Sequence, residues 1–217
     1  MVKLQLAMDT LDGNEALRLA DCTAPFVDIL EAGTPLIKSV GISIVRKLKS
    51  AHPNKIVLAD LKSSDVGAYE ADMAFTAGAD IVTTQGITTY ATICEVQREA
   101  DKWKRRAEVD MTGVKDPVER AKEVRAAGVS LVLYHRSIDE ELTEGALWDE
   151  RAVSTVREMC ALGLDVAIAG GINYDILPLL RGVPIYGIVI GRGITAQPDP
   201  SLTAEKIARR ICEIWPA

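Results

Sequence analysis

The chain has 217 residues, of which 48% are hydrophobic and 26% are charged, a balance typical of a globular protein with a substantial core. The formal net charge of −6 argues against a nucleic-acid partner, and no apolar stretch is long enough to cross a bilayer. The four cysteines lie far apart, without the spacing of a zinc site, so we expect a cytoplasmic protein in a reducing compartment with no membrane partner.

Short apolar runs and amphipathic stretches alternate along the chain. The apolar runs are rich in Val, Ile and Leu, as expected for parallel strands that are buried on both faces. The predicted strands are Lys3–Met8, Val27–Glu31, Lys55–Asp60, Asp80–Thr84, Ala107–Asp110, Ser130–Tyr134, Asp165–Ala169 and Tyr186–Ile190. The stretches between them have helical spacing, as in Pro117–Ala127, where apolar residues recur among charged ones.

Eight strands and eight helices in alternation predict the α/β fold class and a single (β/α)8 TIM barrel domain over residues 1–217. An open doubly wound sheet is the alternative, although no Gly-x-Gly-x-x-Gly motif follows the first strand. In a barrel, the carboxyl ends of the strands form the catalytic mouth. The predicted strand ends carry Asp9, Glu31, Asp60 with Lys62, Asp110, His135, Gly170–Gly171 and Gly191–Arg192. Because burying so many unpaired charges is very unfavourable, a shared polar mouth is the simpler interpretation.

Three charged residues at the end of the third strand give the strongest indication of chemistry. Asp60 and Lys62 are two residues apart and point to the same side of a strand, and Asp65 follows on the loop. Two acids around one lysine keep the lysine protonated, which suits the stabilisation of a developing anion. A salt bridge in a solvated loop is the alternative without function.

Two further groups at the predicted mouth have a chemical interpretation and a structural alternative. Glu31 and Asp60 end neighbouring strands, and two carboxylates with room for water suit Mg²⁺, unless one of them only caps a loop. His135 closes the sixth strand, where a core histidine facing a neighbouring carboxylate is the alternative to a functional one.

The ends of the seventh and eighth strands are rich in glycine. Gly171 and Gly191 allow backbone N–H groups to approach an anion, and Arg192 can add a bidentate contact. In barrels of this kind these two strand ends form the usual phosphate site, so we expect a phosphorylated substrate.

Six motifs, in this order along the chain, resemble those of one enzyme group. They are Gln5–Asp9, Val27–Thr34, Ala59–Gly67, His135–Asp139, Ala169–Gly171 and Ile190–Ile194. The group belongs to the orotidine-monophosphate decarboxylase suprafamily and contains 3-keto-L-gulonate-6-phosphate decarboxylase and 3-hexulose-6-phosphate synthase. The resemblance to orotidine-monophosphate decarboxylase itself is weaker, because that enzyme works without metal and its pattern lacks counterparts of Glu31 and His135.

The resemblance implies a homodimeric, Mg²⁺-dependent carbon–carbon lyase that acts on a small phosphorylated sugar through a 1,2-enediolate. Glu31 and Asp60 would hold the metal ion at two oxygens of the enediolate, and Lys62 would stabilise the same anion. Asp65 would reach across the dimer interface into the active site of the partner.

The same resemblance implies roles for the other residues of the mouth. Asp9 would bind substrate hydroxyls or orient the lysine. His135 would lie where a proton is delivered to the enediolate carbon. The sugar phosphate would be held by the backbone amides of Gly171 and Gly191 and by the side chain of Arg192.

The motifs divide between the two members of the group. His135–Asp139, Gly145–Trp148 and Leu177–Tyr186 resemble the decarboxylase. The decarboxylase has Glu where this chain has Asp110, Arg where it has Ile138 and Thr where it has Ala169. These three substrate-pocket positions favour the synthase.

Weighing the motifs against these three positions, we expect decarboxylation of 3-keto-L-gulonate 6-phosphate to L-xylulose 5-phosphate and CO₂. The alternative is aldol condensation of formaldehyde with D-ribulose 5-phosphate, or both activities in one enzyme. A Schiff-base aldolase using Lys62 is disfavoured, because such a lysine needs a lowered pKa. A catalytically silent phosphosugar-binding barrel would have little use for Lys62 and His135 together.

Overall fold

The structure is a computed structural model that describes residues 1–144 and 148–216. Residue 217 and the first three residues of the Gly145–Trp148 motif lie outside the described residues. Within them, eight parallel strands close into a barrel. The strands are β1 (Lys3–Met8), β2 (Ile29–Ala32), β3 (Ile56–Ser63), β4 (Ile81–Gln85), β5 (Arg106–Asp110), β6 (Leu131–His135), β7 (Asp165–Ala169) and β8 (Gly187–Ile190).

The closure of the sheet confirms the predicted barrel and excludes the open sheet. β1 pairs with β8 in parallel, with Leu4 opposite Ile188, so neither strand has a free edge. The connecting helices are α1 (Gly13–Thr23), α2 (Thr34–Val40), α3 (Ser43–Ala51), α4 (Gly67–Thr76), α5 (Tyr90–Trp103), α6 (Pro117–Ala126), α7 (Ile138–Glu144), α8 (Glu150–Ala161), α9 (Arg192–Thr195) and α10 (Pro200–Ile214). None of these helices is long and apolar enough to cross a membrane.

The connection between β7 and β8 differs from the predicted helix. It contains one 3₁₀ turn, Leu177–Leu180, with Pro178 inside the turn and Gly182 and Pro184 after it. Proline lacks an N–H donor and glycine is a poor helix former, so the segment cannot extend into a full α-helix.

The third strand is longer than predicted. It does not end at Asp60 but continues to Ser63, with a shift in the register against β4 between Ala59 and Ser63. Lys62 lies in the left-handed region with φ 48°, and its backbone N–H donates to Thr83 Oγ1 at 2.9 Å. The side chain of a neighbouring strand thus replaces the regular sheet partner at this irregularity.

The interior of the barrel below the mouth is mostly apolar. Towards the amino ends of the strands it is filled by Ile29, Leu58, Ile81 and Leu131. Nearer the carboxyl ends it is lined by Ala7, Leu133, Ala167, Ala169 and Val189. Because three of these five upper residues are alanines, space is left for a cavity at the mouth.

Two helix-starting glycines differ in the space around them, which gives a test of the packing between α4 and α5. A Cβ added at Gly67 would lie 2.7 Å from Val96 Cγ2 and 2.8 Å from the carbonyl oxygen of Thr92. At Gly13 the nearest atom would lie 3.6 Å away. We expect Gly67→Ala to lower the free energy of unfolding by about 1–3 kcal/mol, because a backbone carbonyl must move.

Gly13→Ala is the matched control and should leave the free energy of unfolding unchanged or slightly raised, since alanine restricts the unfolded chain. Urea unfolding followed by circular dichroism measures both variants. Equal effects of the two substitutions would contradict the close approach of α4 and α5.

Candidate active site

A cavity of about 560 Å³ opens at the carboxyl ends of the strands. Most of the predicted site residues line it, namely Asp9, Glu31, Asp60, Lys62, His135, Ile138, Ala169, Gly171, Gly191 and Arg192. These residues are distant in sequence and meet because parallel strands of a closed barrel all end at one face. Asp65 and Asp110 do not line the cavity.

Lys62 lies between two carboxylates. Its Nζ is 3.1 Å from Asp60 Oδ2 and 2.6 Å from Asp110 Oδ2. Burial alone would lower the pKa of Lys62, but the charges of Asp60 and Asp110 outweigh it and raise the pKa above its usual value. The lysine therefore carries a permanent positive charge.

The predicted partner Asp65 is not part of this cluster in its own chain. It is exposed on the loop between β3 and α4, and it forms no ion pair with the described residues. β3 continues beyond Asp60, and the Lys62 side chain extends across the barrel towards β5. The second acid beside the lysine is thus Asp110, and the predicted grouping of Asp60, Lys62 and Asp65 is wrong for a single chain.

Asp110 joins the lysine to the histidine. Its side chain is 1% exposed, and its Oδ2 lies 3.1 Å from His135 Nδ1 as well as accepting from Lys62. Oδ1 accepts hydrogen bonds from the backbone N–H and the hydroxyl of Thr112, at 2.9 and 2.6 Å. Burial opposes ionisation, but the hydrogen bond from His135 and the charges of His135 and Lys62 hold the pKa of Asp110 well below its usual range.

This contact fixes the orientation of the histidine. A carboxylate can only accept hydrogen bonds, so the bonded Nδ1 of His135 carries the proton when the ring is neutral. Nε2 is then the basic nitrogen of a side chain that lines the cavity. Because its side chain lines the cavity, His135 is not a core histidine and can exchange a proton with a bound ligand.

Three acids lie close enough in the cavity to affect one another. Glu31 is buried, and its Oε2 accepts a hydrogen bond from Gln5 Nε2 at 2.6 Å. Its burial and the charges of Asp60 and Asp9 raise its pKa well above the usual value. Asp9 faces the cavity, and the protein around it together with the charge of Asp60 also raises its pKa.

The chemistry of these oxygens fits a hard divalent cation. Asp60 is held by Thr34 Oγ1, which donates to Oδ2 at 2.6 Å, and by Thr83 Oγ1, which donates to Oδ1 at 2.7 Å. Among the described residues, no group of three or more His, Cys, Asp or Glu side chains is arranged to surround a metal ion. Mg²⁺ commonly uses only one or two carboxylates and keeps several waters, so Glu31 and Asp60 together suit it. A cation here would offset the repulsion that raises the pKa of Glu31.

The glycine-rich strand ends lie on the same cavity. Gly170 and Gly171 have φ of 98° and 62°, which side-chain-bearing residues rarely adopt. A Cβ at Gly170 would collide with the backbone carbonyl of Arg136, so this segment passes close to the β6 loop. Gly171, Gly191 and Arg192 all line the cavity at the ends of β7 and β8, and their backbone N–H groups and guanidinium are groups that can bind an anion.

The sequence interpretation missed the residues that hold the acids in place. Gln5, Thr34, Thr83 and Thr112 each hydrogen-bond one of the predicted carboxylates. For Gln5 a signal was available, because it is a polar residue between two leucines in β1. Thr83 gave no such signal, because two more polar residues follow it in β4.

Glu108 was also missed, although it lies two residues before Asp110 and faces the same side of β5. It is 1% exposed and lines the cavity. Neither of its carboxyl oxygens has a hydrogen-bond partner in the part of the chain that the structure describes. Its burial and the charges of Asp110 and Asp60 raise the pKa of Glu108 to about 8. Glu108 is thus a neutral acid at pH 7.

Comparison with known proteins gives matches along nearly the whole chain. The profile of the orotidine 5'-phosphate decarboxylase / HUMPS family matches residues 2–207. The chain is 38% identical over 210 residues to a 3-hexulose-6-phosphate synthase of Mycobacterium gastri, which covers 97% of this chain and 100% of that protein. It is 34% identical over 212 residues to the 3-keto-L-gulonate-6-phosphate decarboxylase UlaD of Escherichia coli O139:H28, which covers 98% of this chain and 97% of that protein.

The solved structures agree with this similarity. KGPDC from Streptococcus mutans, in a complex with a sugar phosphate, superposes with a TM-score of 0.94 and 31% sequence identity, covering 99% of each chain. The chain is thus similar in sequence and in structure to proteins that are named for two different reactions.

The neutral acid Glu108 predicts a specific dependence of stability on pH. In the folded protein its pKa is about 8, against an ordinary value of 4.5 in an unfolded chain. Between these pH values the unfolded state binds fewer protons than the folded state. The titration of Glu108 therefore costs no stability below pH 4.5, and it lowers the free energy of unfolding progressively as the pH rises towards 8. Glu108→Gln keeps the size and removes the titration.

We expect the advantage of Glu108→Gln in free energy of unfolding to be near zero at about pH 4 and to reach roughly a few kcal/mol at about pH 8. Urea unfolding at both pH values measures it. Glu150→Gln, a change at an exposed helix start, is the control and should show no such trend. A difference for Glu108→Gln that is independent of pH would contradict the neutral state of this acid.

Proposed function

The chain belongs to the orotidine 5'-phosphate decarboxylase / HUMPS family, and we propose that it is a Mg²⁺-dependent lyase that acts on a ketose phosphate through a 1,2-enediolate. Its membership of this family makes it an enzyme of the carbon–carbon lyase type. The observation that carries the proposal is that the buried Asp110 contacts both Lys62 and His135, which line a cavity together with acids and glycines.

Lys62 supplies the fixed positive charge that such an intermediate needs. Its two carboxylate partners keep it protonated, so it stabilises an anion electrostatically and cannot form a Schiff base readily. Because it is held at two points, it needs no reorganisation when negative charge develops on the substrate. Mg²⁺, held by Glu31 and Asp60, would supply further positive charge beside the substrate oxygens.

His135 moves the proton. Asp110 fixes its Nδ1, so Nε2 is the atom that gives a proton to the reacting carbon or removes one from it. Asp9 binds substrate hydroxyls at the mouth. The amides of Gly171 and Gly191 and the guanidinium of Arg192 bind the phosphate, which anchors the substrate at the side of the cavity formed by β7 and β8.

The first candidate reaction is decarboxylation of 3-keto-L-gulonate 6-phosphate to L-xylulose 5-phosphate and CO₂. The resemblance of the His135–Asp139 and Leu177–Tyr186 segments to the decarboxylase supports it. In this reaction loss of CO₂ leaves the enediolate, and the proton from His135 completes the product.

The second candidate is condensation of formaldehyde with D-ribulose 5-phosphate, alone or beside the first reaction. It is favoured by Ile138 and Ala169, which line the cavity and offer no side-chain hydrogen bond. An apolar wall holds no water to donate a proton there, and it leaves room for a small aldehyde. Asp110, the third position that distinguishes the two enzymes, is enclosed and contacts Lys62 and His135 instead of the cavity.

We further propose a homodimer of this one-domain chain, with active sites shared between copies. Exposed apolar side chains follow Asp65 in the chain, with Val66 60% and Tyr69 76% exposed, and Ile87 on the loop after β4 is 59% exposed. The loop after β3, which carries Asp65 and Val66, is joined to the loop after β4 by a hydrogen bond from Thr88 Oγ1 to the carbonyl oxygen of Ser64. A second copy that covers this face would bring Asp65 to the partner's site.

Assays of the purified protein with each candidate substrate test the reaction and the metal. We expect turnover of 3-keto-L-gulonate 6-phosphate, measured as CO₂ release, or of ribulose 5-phosphate with formaldehyde, measured as hexulose phosphate. Exhaustive chelation should abolish the activity and Mg²⁺ should restore it. Glu31→Gln should lower kcat/KM by at least about a hundredfold at a fixed Mg²⁺ concentration.

Glu150→Gln is again the control and should retain full activity. Full turnover in the chelated protein would overturn the metal requirement. Inactivation by borohydride in the presence of substrate would indicate a Schiff base on Lys62 instead.

Hybrid dimers test the shared site. Lys62→Ala and Asp65→Ala proteins should each be inactive, but a mixed dimer would contain one intact site, made of Lys62 from one copy and Asp65 from the other. Random exchange of subunits should therefore restore up to about a quarter of the wild-type activity.

Mixing Lys62→Ala with Asp60→Ala is the matched control, because both residues belong to the same copy's site and no intact site can form. Recovery in the control mixture, or an active monomer by ultracentrifugation, would refute the shared site.

A further inference from the structure

We propose that Glu108 forms a hydrogen-bonding subsite at the floor of the cavity, which receives an uncharged hydroxyl group of the substrate below Lys62. The inference rests on the proposed function for the class of ligand, a sugar phosphate. The subsite itself is inferred from the surroundings of Glu108 in the barrel.

Glu108 differs from the other buried acids of the site in having no hydrogen-bond partner among the described residues. Glu31 is bonded to Gln5, Asp60 to two threonines and Asp110 to Thr112 and His135. In the described part of the chain, Glu108 is the one buried carboxyl group whose two oxygens both lack a hydrogen bond.

The free protein gains nothing from an acid at this position. On the floor of the barrel, Glu108 lies opposite apolar side chains such as Leu131, its register partner on β6. A leucine at position 108 would continue this apolar filling, whereas a buried acid without partners destabilises the folded state. A buried polar group without a hydrogen-bond partner needs an explanation. Because Glu108 lines the cavity, we explain it by a ligand that supplies the missing hydrogen bonds when it binds.

The chemistry of the floor selects the kind of group that binds. Gln5 and Thr83 also line it, but Gln5 Nε2 donates to Glu31, and Thr83 Oγ1 donates to Asp60 while accepting from the Lys62 backbone. The neutral carboxyl of Glu108 offers one donor and one acceptor, which matches a hydroxyl group.

An anionic group is disfavoured at the floor, because Asp60 and Asp110 lie nearby and would repel it. Both oxygens of Glu108 are enclosed in the free protein, so the hydroxyl reaches them through a local rotation of the side chain. The phosphate and the floor hydroxyl would then fix the two ends of the substrate on either side of Lys62.

Isothermal titration calorimetry of the wild-type protein, Glu108→Gln and Glu108→Leu tests the subsite, with ribulose 5-phosphate and inorganic phosphate as separate ligands. Gln keeps a donor and an acceptor of the same size, and Leu keeps the approximate volume without either. We expect Glu108→Leu to weaken ribulose 5-phosphate binding at least about tenfold, and Glu108→Gln to weaken it less than about threefold.

Inorganic phosphate, which lacks the sugar hydroxyls, should bind all three proteins equally. The free Glu108→Leu protein should also have a higher Tm than the wild type, so that weaker binding cannot be attributed to damage. If the leucine variant does not unfold cooperatively, Glu108→Met replaces it in the same comparison.

Unchanged ribulose 5-phosphate binding by the stable leucine variant would overturn the subsite, as would an equal loss of binding for both ligands. Absence of ribulose 5-phosphate binding in the wild-type protein would overturn the ligand class as well. The proposed reaction would be overturned by a different result, the absence of turnover. The binding measurements do not depend on turnover, so the two proposals are tested separately.

Discussion

The contact between the partly exposed Lys62 and the buried Asp110 is the interaction on which the rest of the site depends. It joins β3 to β5 across the barrel, and the same carboxylate orients His135. The charges of these groups support one another, since the acid stays ionised beside the two bases and the lysine stays protonated beside the two acids. The closed barrel brings these residues, which are distant in sequence, together at its mouth.

The surrounding backbone is irregular where this contact is made. Lys62 and Val66 both have positive φ, at 48° and 46°, which is unfavourable for residues with side chains and most of all for a β-branched one. The register shift of β3 falls in the same segment. Irregular backbone of this kind persists only where neighbouring structure holds it, here the hydroxyl of Thr83 and the helix α4 that follows.

Much of this arrangement could be predicted from the sequence, and the failures have physical causes. The bounds of β1 and β7 and the common side of Asp60 and Lys62 follow from periodicity, which is a local property. The partnership of Lys62 with Asp110 depends on how two separate strands meet, which no local pattern contains. The burial of Glu108 runs against the tendency of acids to be exposed. The spacing of Asp60, Lys62 and Asp65 suggested a single cluster, and only the resemblance implied that Asp65 serves the site of another copy.

The position of Ile138 has a consequence for how enzymes of this type change over evolutionary time. The charged apparatus lies on strands inside the barrel, where a substitution disturbs several contacts at once, whereas Ile138 begins a helix at the rim and is 44% exposed. Rim substitutions of this kind alter stability little, so they can accumulate as neutral variation. A lineage can therefore explore a new co-substrate one residue at a time while the inherited chemistry continues to work.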